Sequence, residues 1–309
     1  MAGRILRLTR EHLAPTTFAF VPAPRPLRFG ICTDQNMGWE KTVERWRRFE
    51  ELGFDSVWDC DHWIQPSRPT GPYFEAWTLL AALAARTERI RVGVLVSSNT
   101  FRHPAWLAKE AATVDHISNG RLELGFGAGW YVPEHKMLGI PFPEPKELVD
   151  RFEEAVEIID LLLRQEVASF TGHHYQLDEA AFRPGPVQQP RPPLTLGAHG
   201  PRMLGIVARK GDSWNSFGST EEIRSRNEIL NQHCARIGRD PHQILRSLYY
   251  WIAKAEADPW SSLDAFHDLV GRYREVGIEE FVIDQPRPDQ EAVLEQVAAE
   301  LPALRQGKV

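Results

Sequence analysis

The chain has 309 residues, enough for two average domains or one large α/β barrel, and its apolar and charged content is ordinary for a soluble globular protein. Its net charge of -6 argues against a general binder of nucleic acid or acidic membranes. No apolar run approaches the roughly 20 residues that a membrane helix needs. The opening MAGRILRLTREHLAP lacks the apolar core of a signal peptide. Cys32, Cys60 and Cys234 are odd in number and widely spaced, so the expectation is a cytoplasmic protein with reduced thiols and no disulfide framework.

Residues 1–26 are proline-rich and of mixed charge, and read as an N-terminal arm before a single domain over 27–309. From there strand and helix patterns alternate. Arg28–Thr33 (RFGICT) reads as a buried strand, and Trp39–Leu52 as a helix with apolar residues at Val43, Trp46, Phe49 and Leu52, stopped by Gly53. Ser56–Cys60 is a strand and Phe74–Arg86 a helix. Ile90–Ser97 (IRVGVLVS) has no polar alternation, as expected of a strand buried on both faces of a parallel sheet. Pro104 suits the first turn of a helix to Ile117, and Leu122–Phe126 is the fourth strand. An irregular stretch over Gly127–Pro145 leads into a long helix ending at Arg164.

Val167–Leu177 reads as a hairpin turning near Gly172, and Pro184–Pro193 as a proline-rich connector, so 165–193 is an insertion between the fourth helix and the fifth strand. The alternation resumes with a strand at Leu194–Leu196 and a helix over Pro201–Lys210. A strand at Ser213–Ser216 and a helix over Glu221–Ile237 follow. The last pairs are Ile244–Ala253 with Ser262–Val276 and Glu280–Asp284 with Gln290–Leu301. Eight strand–helix pairs in this length predict a closed (β/α)8 TIM barrel, with its chemistry at the C-terminal ends of the strands.

Two glycine clusters stand at such ends. LELGFGAGWYVPEH places Gly125, Gly127, Ala128 and Gly129 directly before Trp130 and Tyr131. This is either a tight turn or bare backbone against which a flat ring lies, walled by the two aromatics. A dinucleotide fingerprint is disfavoured because Pro133 and a loop follow where that motif must open a helix. In TLGAHGPR, Gly197, Ala198, His199 and Gly200 run from the fifth strand into a helix started by Pro201. Free N–H groups and the helix dipole there suit a phosphate, with Arg202 adding charge.

Other strand ends turn polar. Asp61–His62 at the end of the second strand is an acid–base candidate, the carboxylate orienting the imidazole, or a structural cap. Cys60 reads as packing. The third strand ends in Ser97, Ser98 and Asn99, a pocket rim or an Asx turn. Glu134 and His135 are candidates for gating or proton transfer, or solvated surface. There is no HExxH, no CxxC and no GxSxG, so neither a metal site nor a serine nucleophile is expected.

The segments FDSVWDCDHW, the run from EAWTLLAALAARTERIRVGVLVSSNTFRHPAW through SNGRLELGFGAGWYVPEHKMLGIPFP, RFEEAVEIIDLLL, LGAHGPRML and GDSWN together resemble the luciferase-like monooxygenases. These are flavin- or deazaflavin-dependent (β/α)8 barrels, and the likeness is greatest to the branch that uses coenzyme F420. The resemblance covers nearly the whole chain after residue 26. It implies a backbone bulge after the third strand with a non-prolyl cis peptide at Leu95–Val96, on which the cofactor ring rests. It implies ring or side-chain contacts from Leu95, Val96, Ser97, Asn99, Gly127, Ala128, Gly129, Trp130 and Tyr131. The cofactor phosphate would sit at Gly197–Gly200 with Arg202, and Asp61 and His62 match a functional pair. Where a sugar-phosphate-oxidising relative carries an acidic residue, this chain has Trp130, which argues against that chemistry.

The expectation is hydride transfer between F420 and a small organic substrate, in a homodimer or homotetramer. The alternatives are an FMN-dependent two-component monooxygenase supplied by a separate reductase, and a non-catalytic flavin-binding protein.

Overall fold

Parallel strands joined by helices must have both faces covered, and the sequence meets this with two different sets of side chains. The computed structural model describes residues 25–67 and 69–307; the expected arm over 1–26 lies outside the described residues except for its last two. The chain runs β1 (Arg28–Cys32), α1 (Trp39–Glu51), β2 (Ser56–Asp59), α2 (Ala76–Ala84), β3 (Arg91–Val94), β4 (Ser97–Ser98), α3 (Pro104–Ile117) and β5 (Leu122–Gly127). It continues through α4 (Val132–Leu138), α5 (Pro145–Arg164), β6 (Val167–Thr171), β7 (Gln176–Ala181), β8 (Leu194–Gly197), α6 (Pro201–Lys210) and β9 (Ser213–Ser216). The last elements are α7 (Thr220–Ile237), β10 (Leu245–Tyr250), α8 (Leu263–Arg274), β11 (Glu280–Asp284) and α9 (Glu291–Arg305).

All strands but β6 and β7 form one parallel sheet in the order β3-β2-β1-β11-β10-β9-β8-β5-β4, and β3 also pairs with β5. That last pairing closes the barrel. β3 and β4 are two halves of one stave, so the barrel has the eight staves expected. Val92 pairs with Leu122, an offset of 30, but Ser97 pairs with Phe126, an offset of 29. One residue is therefore extra between the halves, a bulge, and the Leu95–Val96 peptide within it is cis.

Alternation along the strands sorts the side chains. Phe29, Ile31, Val57, Leu124, Phe126, Leu196, Trp214, Phe281 and Ile283 join the large core between sheet and helices. The inward positions are small, polar or charged: Arg28, Gly30, Ser56, Gly93, Glu123, Thr195, Asn215, Ser247 and Glu280. Toward the mouth a small apolar cluster of Cys32, Trp58, Leu95 and Val282 fills the interior, with Trp58 its largest member. It fits inside only because a Cβ on Gly93 would lie 2.4 Å from its ring. The antiparallel hairpin β6–β7 is the expected insertion.

Two boundaries differ from expectation in ways that matter for the site. The stretch read as irregular contains α4, which begins beside Pro133 and ends at Gly139 in the left-handed region, φ 67°. The strand expected to run to Ala253 ends at Tyr250, which leaves Trp251 turned toward the barrel mouth.

Candidate active site

The glycines of the fourth stave are bared to the chain itself. A Cβ on Gly125 would lie 2.0 Å from the Val94 carbonyl oxygen, and one on Gly127 would lie 2.6 Å from Cγ2 of Val96. Gly197, on the next stave, faces the same methyl group at 3.2 Å. Gly129 is at φ 95°, a conformation that side chains rarely adopt, and the hydroxyls of Ser98 and Thr100 fill the space beside it. The small residues therefore seat the bulge. Val96, half-buried, turns its methyl groups to Gly127 and Gly197, while Leu95 turns inward onto Cys32, Trp58 and Val282.

The sequence pairs Asp61 with His62; the structure separates them. The Asp61 carboxylate is taken by Arg102, in two contacts of 2.6 and 3.1 Å, and by the backbone N–H of Ser98 at 2.8 Å. Asp61 thus anchors β4, just past the bulge. The partner of His62 is Glu134, whose Oε2 lies 2.9 Å from Nδ1. The other oxygen of Glu134 accepts the backbone N–H groups of Trp63 (2.7 Å) and Ile64 (3.0 Å). Glu134 is fully buried, not solvated surface. An ionised carboxylate only accepts, so Nδ1 carries a hydrogen toward Glu134, and Nε2 has no partner among the described residues. The ring sits edge-on to Trp130 and Tyr131, with centroids 5.6 and 5.8 Å away.

His135 is also buried. Its Nδ1 donates to the Tyr131 carbonyl at 3.0 Å, so its Nε2 accepts from the Thr100 hydroxyl at 2.7 Å, and Ser98 lies 2.7 Å from Thr100. This chain of bonds ties α4 to the turn after β4. It positions the loop rather than moving protons.

The remaining expected residues divide. Ser97 is fully buried, and its hydroxyl accepts from Trp77 Nε1 at 3.0 Å, so it faces α2 and not the mouth. Ala198 is buried, its carbonyl taken by Trp214 Nε1 at 2.8 Å. Asn99 is reached by the hydroxyl of Tyr175 from the β6–β7 hairpin at 3.5 Å. Trp130 is 54% exposed at the mouth and meets Trp251 edge-on at 6.0 Å. Trp251 stacks on Tyr249 at 6.3 Å. Trp251, hidden in a strand expected to run to Ala253, and Tyr249 complete a wall around a cleft of about 750 Å³. A second cleft of about 940 Å³ opens at the ends of β1, β2, β10 and β11 and runs out along α1.

At the phosphate candidate, Gly200 precedes α6 with no side-chain cap, and a Cβ there would meet nothing within 4 Å. Open space at uncapped N–H groups fits an anion. Arg202 does not serve it: its guanidinium is committed to Asp150 and Glu153 of α5. His199 does not either. Burial and the nearby Arg226 push its pKa down to about 4, so the ring is neutral near pH 7. The cation beside His199 is Arg226 of α7, which the sequence did not single out; it is mostly buried and also holds the Ser216 hydroxyl, the Phe217 carbonyl and Glu222. Among the described residues no group of three or more metal-ligating side chains gathers, and no helix is long and apolar enough to cross a membrane.

This architecture is shared. A solved F420-dependent secondary alcohol dehydrogenase, in complex with an F420–acetone adduct, superposes with a TM-score of 0.78 over 90% of this chain and 99% of that one, at 19% identity. The F420-dependent glucose-6-phosphate dehydrogenase of Amycolatopsis mediterranei is 36% identical over 184 residues, 58% of this chain and 54% of that protein. The match thus spans about half the length of that relative. The corresponding protein of Intrasporangium calvum is 27% identical over 88% of this chain and 96% of its own. The sequence pattern of luciferase-like monooxygenases matches residues 21–301. With a bulged third stave, a glycine-seated platform and an uncapped α6 in place, the chain belongs to the luciferase-like monooxygenase family.

Proposed function

We propose that this chain is an F420-dependent oxidoreductase that interconverts a small alcohol and its carbonyl, with residues 27–309 acting as one domain. The observation that carries the reading is the Glu134–His62 pair, with Nε2 of His62 unpartnered beside an aromatic wall. The choice of cofactor rests on the F420-dependent relatives. When bound, F420 supplies the two-electron hydride carrier.

This chain's residues do the rest. Val96 offers an apolar seat at the mouth, and the backbone before α6, with Arg226 nearby, would hold the phosphate. Trp130, Tyr131 and Trp251 exclude water. His62 Nε2 takes the hydroxyl proton of an alcohol, or returns it to a carbonyl, while Glu134 holds Nδ1–H and balances the charge that forms. Asp61 and Arg102 keep β4 in place beneath the seat. The apolar wall, with Trp130 foremost, favours an aliphatic or aromatic alcohol over a sugar phosphate. A homodimer or homotetramer in the cytoplasm remains the expectation from the family.

Fluorescence titration of the purified protein with F420 and FMN, oxidised and reduced, tests the cofactor. Tight binding of F420 alone, followed by anaerobic F420 reduction with members of an alcohol panel, supports the proposal. Tight binding of reduced FMN overturns it in favour of a two-component monooxygenase. Binding of neither removes the cofactor from the reading altogether.

A further inference from the structure

The thiols of Cys32 and Cys60 lie 3.5 Å apart in the wall of the barrel mouth. Their separation of 28 positions in sequence hides the pairing. β1 and β2 run side by side with Cys32 level with Trp58, so the next inward position on that strand line belongs to Cys60. Cys32 packs with Trp58, Leu95 and Val282, and Cys60 lies against that cluster. Both residues line the larger cleft; Cys32 is buried and Cys60 partly exposed. Neither thiol is needed to seat the cofactor or to move a proton at His62. The third cysteine, Cys234, is sealed in the core on α7.

We propose that Cys32 and Cys60 form a reversible two-electron thiol site, closed to a disulfide by small hydroperoxides that enter the cleft. Cys60, the exposed sulfur, reacts first. Its thiolate forms an S–O bond as the peroxide O–O bond breaks, giving Cys60 sulfenic acid and, with one proton, water. The sulfur of Cys32 then forms the S–S bond while the S–O bond breaks, and a second water leaves with the thiol proton. In sum, two thiols and hydrogen peroxide give one disulfide and two waters, the sulfurs losing the two electrons that the peroxide gains. A dithiol reductant reverses this by exchange. The hydrogen bond that Cys32 donates to Cys60, with burial, holds the Cys32 thiol in its protonated form, which suits the resolving sulfur rather than the attacking one.

Closure must shorten the gap to about 2.05 Å. Cys60 directly precedes Asp61 and His62, so the movement pulls on the segment that carries the imidazole. The site therefore links oxidant in the cleft to the position of His62 against Glu134.

Full-length protein treated with hydrogen peroxide, quenched, denatured and alkylated gives the test. Alkylatable thiols should fall from three to one, a Cys32–Cys60 cross-linked peptide should appear, and dithiothreitol should restore all three. In Cys32→Ser, Cys60 should be trapped as a dimedone adduct; the wild-type peptide map stands alone if that variant does not fold. The His62 ring-proton signals should shift on oxidation and return on reduction. Three alkylatable thiols after treatment, a cross-link through Cys234 or between chains, or Cys60 passing to sulfinic acid with Cys32 untouched would each overturn the proposal. Unmoved His62 signals in disulfide-closed protein would overturn the link to the imidazole.

Discussion

A carboxylate that accepts two backbone N–H groups on one oxygen and an imidazole on the other has its orientation fixed from both sides. Glu134→Gln keeps an acceptor for the backbone pair but turns an NH2 group toward Nδ1 of His62. Two donors cannot face each other, so the imidazole must move its hydrogen to Nε2 and lose the lone pair used for proton transfer. Nitrogen chemical shifts of His62 should report Nδ1–H in the wild type and Nε2–H in the variant. Turnover should fall roughly a hundredfold or more with F420 affinity nearly unchanged. Retention of Nδ1–H in the variant would remove Glu134 from its orienting role.

The phosphate candidate permits a paired test at the same scale. Arg202→Ala should leave F420 affinity within about twofold, because the side chain is already bound to Asp150 and Glu153. Arg226 also pairs with Glu222 but stands mostly buried beside His199, so Arg226→Gln should weaken it roughly tenfold, the effect of one charge-assisted contact. A loss confined to Arg202→Ala reverses the assignment. None of these partnerships is local in sequence: Glu134 lies 72 positions from His62, and Arg102 lies 41 from Asp61. Residue types at strand ends marked the site, but who holds whom depends on which staves the barrel makes adjacent.

At the scale of elements, the bulge and its glycines form one unit. Gly127→Ala places a methyl 2.6 Å from Val96 Cγ2, and overpacking of this kind costs about 1–3 kcal/mol. Val96→Ala removes that methyl group, so the double variant should be more stable than the summed single losses by about 1 kcal/mol or more. Urea unfolding of the four proteins measures the coupling; simple additivity would mean that Gly127 is small for another reason. Periodicity made most elements legible. β9, α6 and β11 have the expected bounds, α6 because Pro201 and the uncapped Gly200 mark its start. α4 is hidden inside the stretch expected to be irregular over Gly127–Pro145, although a proline at the first turn, here Pro133, is one way a helix begins. The packing role of the glycines is illegible for a different reason: sequence shows that a residue has no side chain, not what fills the space. Here the filler is Val96, which lies 31 positions from Gly127.

The barrel as a whole is closed by a seam of buried charge. Arg28 on β1 is level with Glu280 on β11, where the last strand meets the first, and its guanidinium is 3.3 Å from that carboxylate. Arg28 also pairs with Glu123 of β5, which Arg91 of β3 shares, so four staves meet on these side chains at the closed end. Two carboxylates near one another in a dry interior cannot both ionise freely. Burial raises the Glu280 carboxyl to about 7; Arg28 opposes the shift and Glu123 adds to it. The sign follows by linkage. Below the ordinary value of 4.5 the group is protonated in folded and unfolded chains alike. Between 4.5 and about 7 the folded chain keeps a proton that the unfolded chain has lost, so this group's contribution falls as pH rises through the window. Glu280→Gln cannot titrate. The difference in unfolding free energy, wild type minus variant, should therefore decline by about 1 kcal/mol or more between the two ends of that window and stay level above it. Other titrating groups cancel in the difference, because both proteins carry them. Parallel stability curves would mean that Glu280 titrates alike in the folded and unfolded chains, and the seam would then be a simple ion pair rather than one that loosens the barrel as it loses its proton.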